Sequence, residues 1–164
     1  SLYSFSKSSA TTGWRVRYVV APPNISPTLA LVQQALISSL PTMTQAGALA
    51  AITGPQDEVA FMREAYQSRR DAAVKLLADG GIDVIPPAGG FYLMVPLKEG
   101  ADSWKAAFDL IDHQVAVSPG AAYGEVTKEY LRLSLASSER DIEEGIGRIV
   151  SWYQQTDGGT NIPS

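Results

Sequence analysis

The sequence predicts an α/β protein with strands towards both ends and one long helix between them. Three observations carry that reading. Two short β-rich runs, residues 2–6 and 16–21, flank a small polar segment near the start. An apolar stripe at helical spacing then extends over residues 56–78. After it, four short β-rich runs alternate with two amphipathic helical patterns, the arrangement of an α+β unit.

Taken in order, Leu2-Tyr3-Ser4-Phe5-Ser6 combines aromatic and small residues and reads as a strand. Residues 16–21 are apolar apart from Arg17 and end at Pro22-Pro23, which suits a second strand. The intervening Ser8-Ser9-Ala10-Thr11-Thr12-Gly13 is a loop by composition. Ser26 followed by Pro27 marks a helix start, with Ser26 as cap and Pro27 in the first turn. Leu29, Val32, Leu36 and Ile37 then recur at helical spacing towards Leu40. Pro41 restarts the chain, and an alanine-rich run over residues 45–52 predicts a second, closely packed helix that Gly54-Pro55 ends.

In the long helix, Val59, Met62, Tyr66, Ala73 and Leu76 share a side, and Asp79-Gly80-Gly81 stops it. The later strands are expected over residues 82–85, 91–96, 115–117 and 130–135, split by Pro and Gly. One helix begins near Ser103 and carries Trp104, Phe108 and Ile111. The last carries Ile142, Ile146, Ile149 and Tyr153 and opens on a Ser138-x-x-Asp141 capping box. Residues 157–164 read as a loose tail.

The 164 residues, 45% hydrophobic and 18% charged, can bury a core. A net charge of −4 does not suit a phosphate-backbone partner, so no nucleic-acid role is expected. No stretch approaches the ~20 apolar residues of a membrane span, and no membrane partner is expected. Without cysteine there is no disulfide framework, thiolate metal site or thiol nucleophile, which fits a reducing, cytoplasmic setting. No His, Asp or Glu cluster has metal-ligand spacing, so no metal is expected. The one histidine, His113, reads as a surface or capping residue.

Two places carry chemistry. Lys7 sits in Ser4-Phe5-Ser6-Lys7, with Gly13-Trp14-Arg15 shortly after it. A primary amine can condense with an aldehyde, and a guanidinium can fork onto a phosphate with two parallel hydrogen bonds. With the hydroxyls of Ser4 and Ser6 nearby, the segment suits a ligand bearing both groups. The second place is Arg132, set among apolar neighbours in Tyr130-Leu131-Arg132-Leu133-Ser134-Leu135. An arginine inside such a strand either pairs structurally or faces a cleft, where its planar fork suits a carboxylate.

The opening motif resembles the pyridoxal-phosphate attachment site of class I/II aminotransferases, which are fold-type I enzymes. Ser4, Phe5, Ser6, Lys7, Gly13 and Arg15 fall on the pattern in register. Two positions depart from it: Thr11 stands where the family usually has an apolar residue, and Arg17 where it has a small one.

The resemblance implies pyridoxal 5'-phosphate as cofactor. It implies Lys7 as the attachment and catalytic residue, Arg15, Ser4 and Ser6 as further cofactor-binding residues, and Arg132 as the substrate's carboxylate receptor. It implies the last strands of a mixed α/β/α sheet, a long connecting helix, then an α+β small domain whose short sheet is covered by helices. The expected boundaries are 1–54 for the end of the large cofactor-binding domain and 55–80 for the connecting helix. The small domain is expected over 81–156 and the flexible tail over 157–164. The implied activity is amino-group transfer between an amino acid and a 2-oxo acid, by a homodimer. The chain is expected to be the C-terminal portion of a longer enzyme and inactive alone. The same framework also carries C–S and related lyases, and aminotransferase-like effector-sensing domains of transcriptional regulators; both remain alternatives at this point.

Overall fold

The computed structural model describes residues 1–163, which divide into two compact units, residues 1–62 and residues 63 onward. In the first unit, β1 (Leu2–Ser4) pairs antiparallel with β2 (Arg17–Val19), with Leu2 opposite Val19, Tyr3 opposite Tyr18 and Ser4 opposite Arg17. Tyr3 and Tyr18 stack at 4.9 Å between centroids, and the buried Phe5 ring leans on Tyr18 at 5.6 Å. Such cross-strand aromatic pairs fix the register of a two-stranded ribbon.

The first strand is shorter than its composition suggests. Ser4 is an N-cap: its hydroxyl accepts from the Ser6 N–H at 3.2 Å and turns the chain into a single helical turn, α1 (Phe5–Ser8). Lys7 therefore sits in a helical turn rather than at a strand end. A 3-10 turn over Thr12–Trp14 follows. Then come α2 (Ser26–Ile37) and α3 (Thr42–Thr53). Ser26 does not cap α2. Ile25 holds that position, and the Ser26 hydroxyl donates back to the Pro22 carbonyl at 3.2 Å. No residue of α2 is buried, and Leu31 and Leu36 are 66% and 75% exposed.

The long helix α4 (Asp57–Asp79) begins in the first unit and ends in the second. It closes in a Schellman motif: Gly81 adopts φ 82°, the Ile82 N–H donates to Leu77 O at 2.9 Å, and the Gly81 N–H donates to Ala78 O at 2.9 Å. That cap uses the amide a strand over residues 82–85 would need, and no strand forms there.

In the second unit, β3 (Tyr92–Pro96), β4 (Ser118–Pro119) and β5 (Tyr130–Ser134) form an antiparallel sheet ordered β3-β5-β4. The helices α5 (Ser103–Asp112) and α6 (Glu139–Gln155) belong to the same unit. Strand alternation sorts the residues: Leu93, Val95, Leu131 and Leu133 are buried in the core, where Leu110 and Trp152 join them. Trp152 is fully buried and its indole N–H donates to the Asp109 carboxylate.

The expected strand over residues 115–117 is displaced to β4 for the reason that removed the earlier one. Gln114 takes φ 61°, and the Val115 N–H donates to Leu110 O at 2.9 Å, capping α5. Residues 157–163 also differ from the loose tail expected over 157–164: Gly158, Gly159 and Ile162 are buried. There the Lys98 N–H donates to Gly158 O, Lys98 pairs with Asp157, and the Lys105 ammonium donates to Ile162 O.

The capping box at α6 is as expected, with the Asp141 N–H donating to the Ser138 hydroxyl at 3.2 Å. The Ser138 hydroxyl, and beside it Arg140, hold the Asp141 carboxyl below its ordinary range. A carboxyl lowered in the folded state adds stability above its unfolded value, and that stability is lost as the pH falls through the folded value. Ser138→Ala should cost about 1 kcal/mol of stability at neutral pH by losing the cap. The gap between variant and wild type should narrow in acid, below about pH 3.9. Thermal unfolding at the two pH values reads both effects.

Candidate active site

The loop between β1 and β2 is held by its own small polar residues. The Thr11 hydroxyl donates to the Phe5 carbonyl at 2.9 Å, and the Ser8 hydroxyl donates to the Ser4 carbonyl at 3.3 Å. Thr11, one of the two departures from the family pattern, thus ties the loop to its own base. The Trp14 ring lies on α3 where only a glycine fits: a Cβ on Gly47 would fall 2.3 Å from Trp14 Cζ3. Directly after it, Arg15 takes the left-handed conformation, φ 53° and ψ 42°, and one guanidinium N–H donates to Thr12 O at 3.0 Å. A non-glycine residue held there signals a constrained position.

All four candidates of the opening motif lie on this one loop. Lys7 and Arg15 are exposed, and Ser4 spends its acceptor on the helix cap while its O–H stays able to donate. The Ser6 hydroxyl is buried without a hydrogen-bond partner. A buried hydroxyl left unmatched is costly and is answered by an acceptor brought to it. The electrostatics agree: the chain contains no Asp or Glu before Asp57, and its only charged side chains up to that point are Lys7, Arg15 and Arg17. Arg17, the second departure, is exposed on β2 opposite Ser4. A loop of donors and cations with no carboxylate fits a phosphate-bearing group.

Arg132 belongs to the second unit, on the sheet face opposite the core. It sits in the middle of β5, opposite Met94 of β3 and Ser118 of β4. Its guanidinium carbon lies 4.1 Å from the centroid of the Tyr92 ring and 4.2 Å from that of Tyr123. One N–H reaches the Ser118 hydroxyl at 3.5 Å. Tyr92 stands on the neighbouring strand, diagonal to Arg132, within reach across the ladder.

Tyr123 arrives from a 3-10 turn, Gly120–Tyr123, which the Thr127 hydroxyl fastens by donating to Gly120 O at 2.8 Å. Gly120 is required there: a Cβ would lie 2.0 Å from Thr127 O and 2.5 Å from Tyr130 O. Gly120→Ala should therefore move this turn and cost about 1–3 kcal/mol, measured as a lowered unfolding midpoint. The sequence reading identified Arg132 and missed its aromatic neighbours.

The model of the family aminotransferase class I and II matches residues 1–149. The chain belongs to that family. It is 40% identical over 154 residues to a probable aspartate/prephenate aminotransferase of Aquifex aeolicus, covering 89% of this chain and 39% of that protein. It is 36% identical over 152 residues to an arginine–pyruvate transaminase of Pseudomonas aeruginosa, covering 91% and 39%. Among solved structures, an aromatic aminotransferase from Pyrococcus horikoshii superposes with a TM-score of 0.89 at 29% identity, covering 95% of this chain and 43% of that one. An aspartate aminotransferase from Thermotoga maritima gives 0.85 at 28%, covering 93% and 39%. The chain thus spans about two fifths of the length of these aminotransferases. The relatives are transaminases by name, in keeping with the transfer reading rather than with the lyase or regulator alternatives.

Proposed function

We propose that this chain is the C-terminal portion of an aminotransferase that moves an amino group between an amino acid and a 2-oxo acid. The observation that carries this is the opening loop, where Lys7, Arg15, Ser4 and Ser6 gather donors and cations without one acidic residue. In this reading pyridoxal 5'-phosphate, when bound, supplies the electron sink that makes the substrate's α-proton removable. Arg15, the Ser4 hydroxyl and the Ser6 hydroxyl hold its phosphate, and Lys7 is the residue it attaches to.

Its amine freed by the incoming substrate, Lys7 Nζ would take the proton from the substrate α-carbon as a general base and release it at a different atom as a general acid. Arg132 holds the substrate carboxylate in its fork and so orients the α-hydrogen. The proposed parent is a cytoplasmic homodimer with no nucleic-acid or membrane partner. Among the described residues no helix is long and apolar enough to cross a membrane.

Borohydride reduction of the full-length protein with pyridoxal phosphate should leave a phosphopyridoxyl group on Lys7, read by peptide mass spectrometry. Labelling confined to another lysine would overturn the assignment.

A further inference from the structure

We propose that Tyr92 and Tyr123 are positioning residues that fix the plane of the Arg132 guanidinium, leaving only its rim open to a carboxylate. This inference rests on the proposed role of Arg132 and adds two residues to it. The geometry is a clamp: one ring centroid lies 4.1 Å from the guanidinium carbon and the other 4.2 Å. An arginine side chain has several rotatable bonds, and a ligand that captures it from a mobile state must also order it. Two rings held on independent segments remove that cost in advance. Tyr92 is fixed by the β3–β5 ladder, and Tyr123 by the glycine-dependent turn at Gly120.

The clamp also sets direction. The guanidinium carbon lies over both rings, whose π-faces attract the cation without offering an acceptor to its N–H groups. The in-plane N–H donors are left for oxygen atoms, of which the Ser118 hydroxyl takes one at 3.5 Å. No acidic side chain forms an ion pair with Arg132 among the described residues. A planar carboxylate can therefore approach the rim edge-on, in the bidentate geometry. Neither phenol hydroxyl is needed for this, so phenylalanine should substitute at either position.

Two measurements test it. In arginine side-chain NMR of this chain, the Arg132 resonances should be displaced upfield by ring currents. The displacement should be reduced in Tyr92→Leu and Tyr123→Leu and kept in Tyr92→Phe and Tyr123→Phe. In the full-length enzyme, each leucine variant should raise KM for the amino-acid substrate roughly 3- to 30-fold. The phenylalanine variants should stay near wild type, and Arg132→Lys should lose the bidentate carboxylate contact. Absence of ring-current displacement in the wild-type chain overturns the clamp. Leucine variants with unchanged KM, alongside an impaired Arg132→Lys, overturn its positioning role and leave the proposed function standing. An unchanged KM in Arg132→Lys overturns the proposed role of Arg132 itself.

Discussion

Lys7→Ala in the full-length enzyme is expected to lower turnover by about 10³-fold or more, with the protein still folded. Positioned proton transfer alone is worth roughly 10²- to 10⁴-fold, and the variant also loses the proposed attachment amine. Lys7 is exposed, in a one-turn helix whose cap and closing hydrogen bonds come from Ser4, Ser8 and Thr11. The Ser4 cap and the Ser8 and Thr11 hydrogen bonds do not use the Lys7 side chain, and the unfolding midpoint of the variant separates loss of chemistry from loss of fold. Single-turnover measurement of the amino half-reaction separates this from a binding defect: the rate falls while the proposed phosphate contacts of Arg15, Ser4 and Ser6 persist. Turnover within tenfold of wild type would remove Lys7 from the proton-transfer role.

The candidates of this loop were readable from the sequence, because the proposed chemistry lies in residue types at fixed spacing. The conformation was less so. The segment Leu2-Tyr3-Ser4-Phe5-Ser6 has strand composition, but the Ser4 hydroxyl competes for the Ser6 N–H and bends the chain into a helical turn. Two further overestimates share one cause. Residues 82–85 (Ile-Asp-Val-Ile) and 115–117 (Val-Ala-Val) are rich in β-branched residues, yet each run follows a helix whose C-terminal cap takes its first amide. Ile82 donates to Leu77 and Val115 to Leu110. Composition registers the apolar run; the cap depends on a left-handed residue, Gly81 in one case and Gln114 in the other. Glycine announces such a cap, and glutamine does not.

The alternating strands and amphipathic helices of the second unit read well, because burial enforces their periods. Leu131 and Leu133 face inward, so Arg132 had to face out, and its candidacy rested on that alternation together with the family resemblance. Its neighbours did not follow. Tyr92 reaches it across a strand pair, and Tyr123 through a turn whose path depends on Gly120. Neither relation has a fixed spacing in sequence.

Arg132→Lys is expected to weaken amino-acid binding by roughly 10- to 150-fold, the loss of about 1.5–3 kcal/mol carried by a charge-assisted contact. The charge is retained, so the loss comes from geometry. An ammonium is a point donor that cannot present two parallel N–H groups to a carboxylate, and it is more strongly hydrated than a guanidinium. It also loses the flat faces that Tyr92 and Tyr123 cover at 4.1 and 4.2 Å, so the shorter side chain is no longer held between them. Stability should change little, because Arg132 is only partly buried and its hydrogen bond to Ser118 is long, at 3.5 Å. The discriminating comparison is between substrate and cofactor. KM for the amino acid should rise while the amount of pyridoxal phosphate retained on gel filtration stays near wild type. Arg132 lies in the second unit and the phosphate candidates all lie in the first, so the two readouts draw on different residues. If cofactor retention fell and KM did not move, Arg132 would be a structural residue of the sheet and the carboxylate would be held elsewhere.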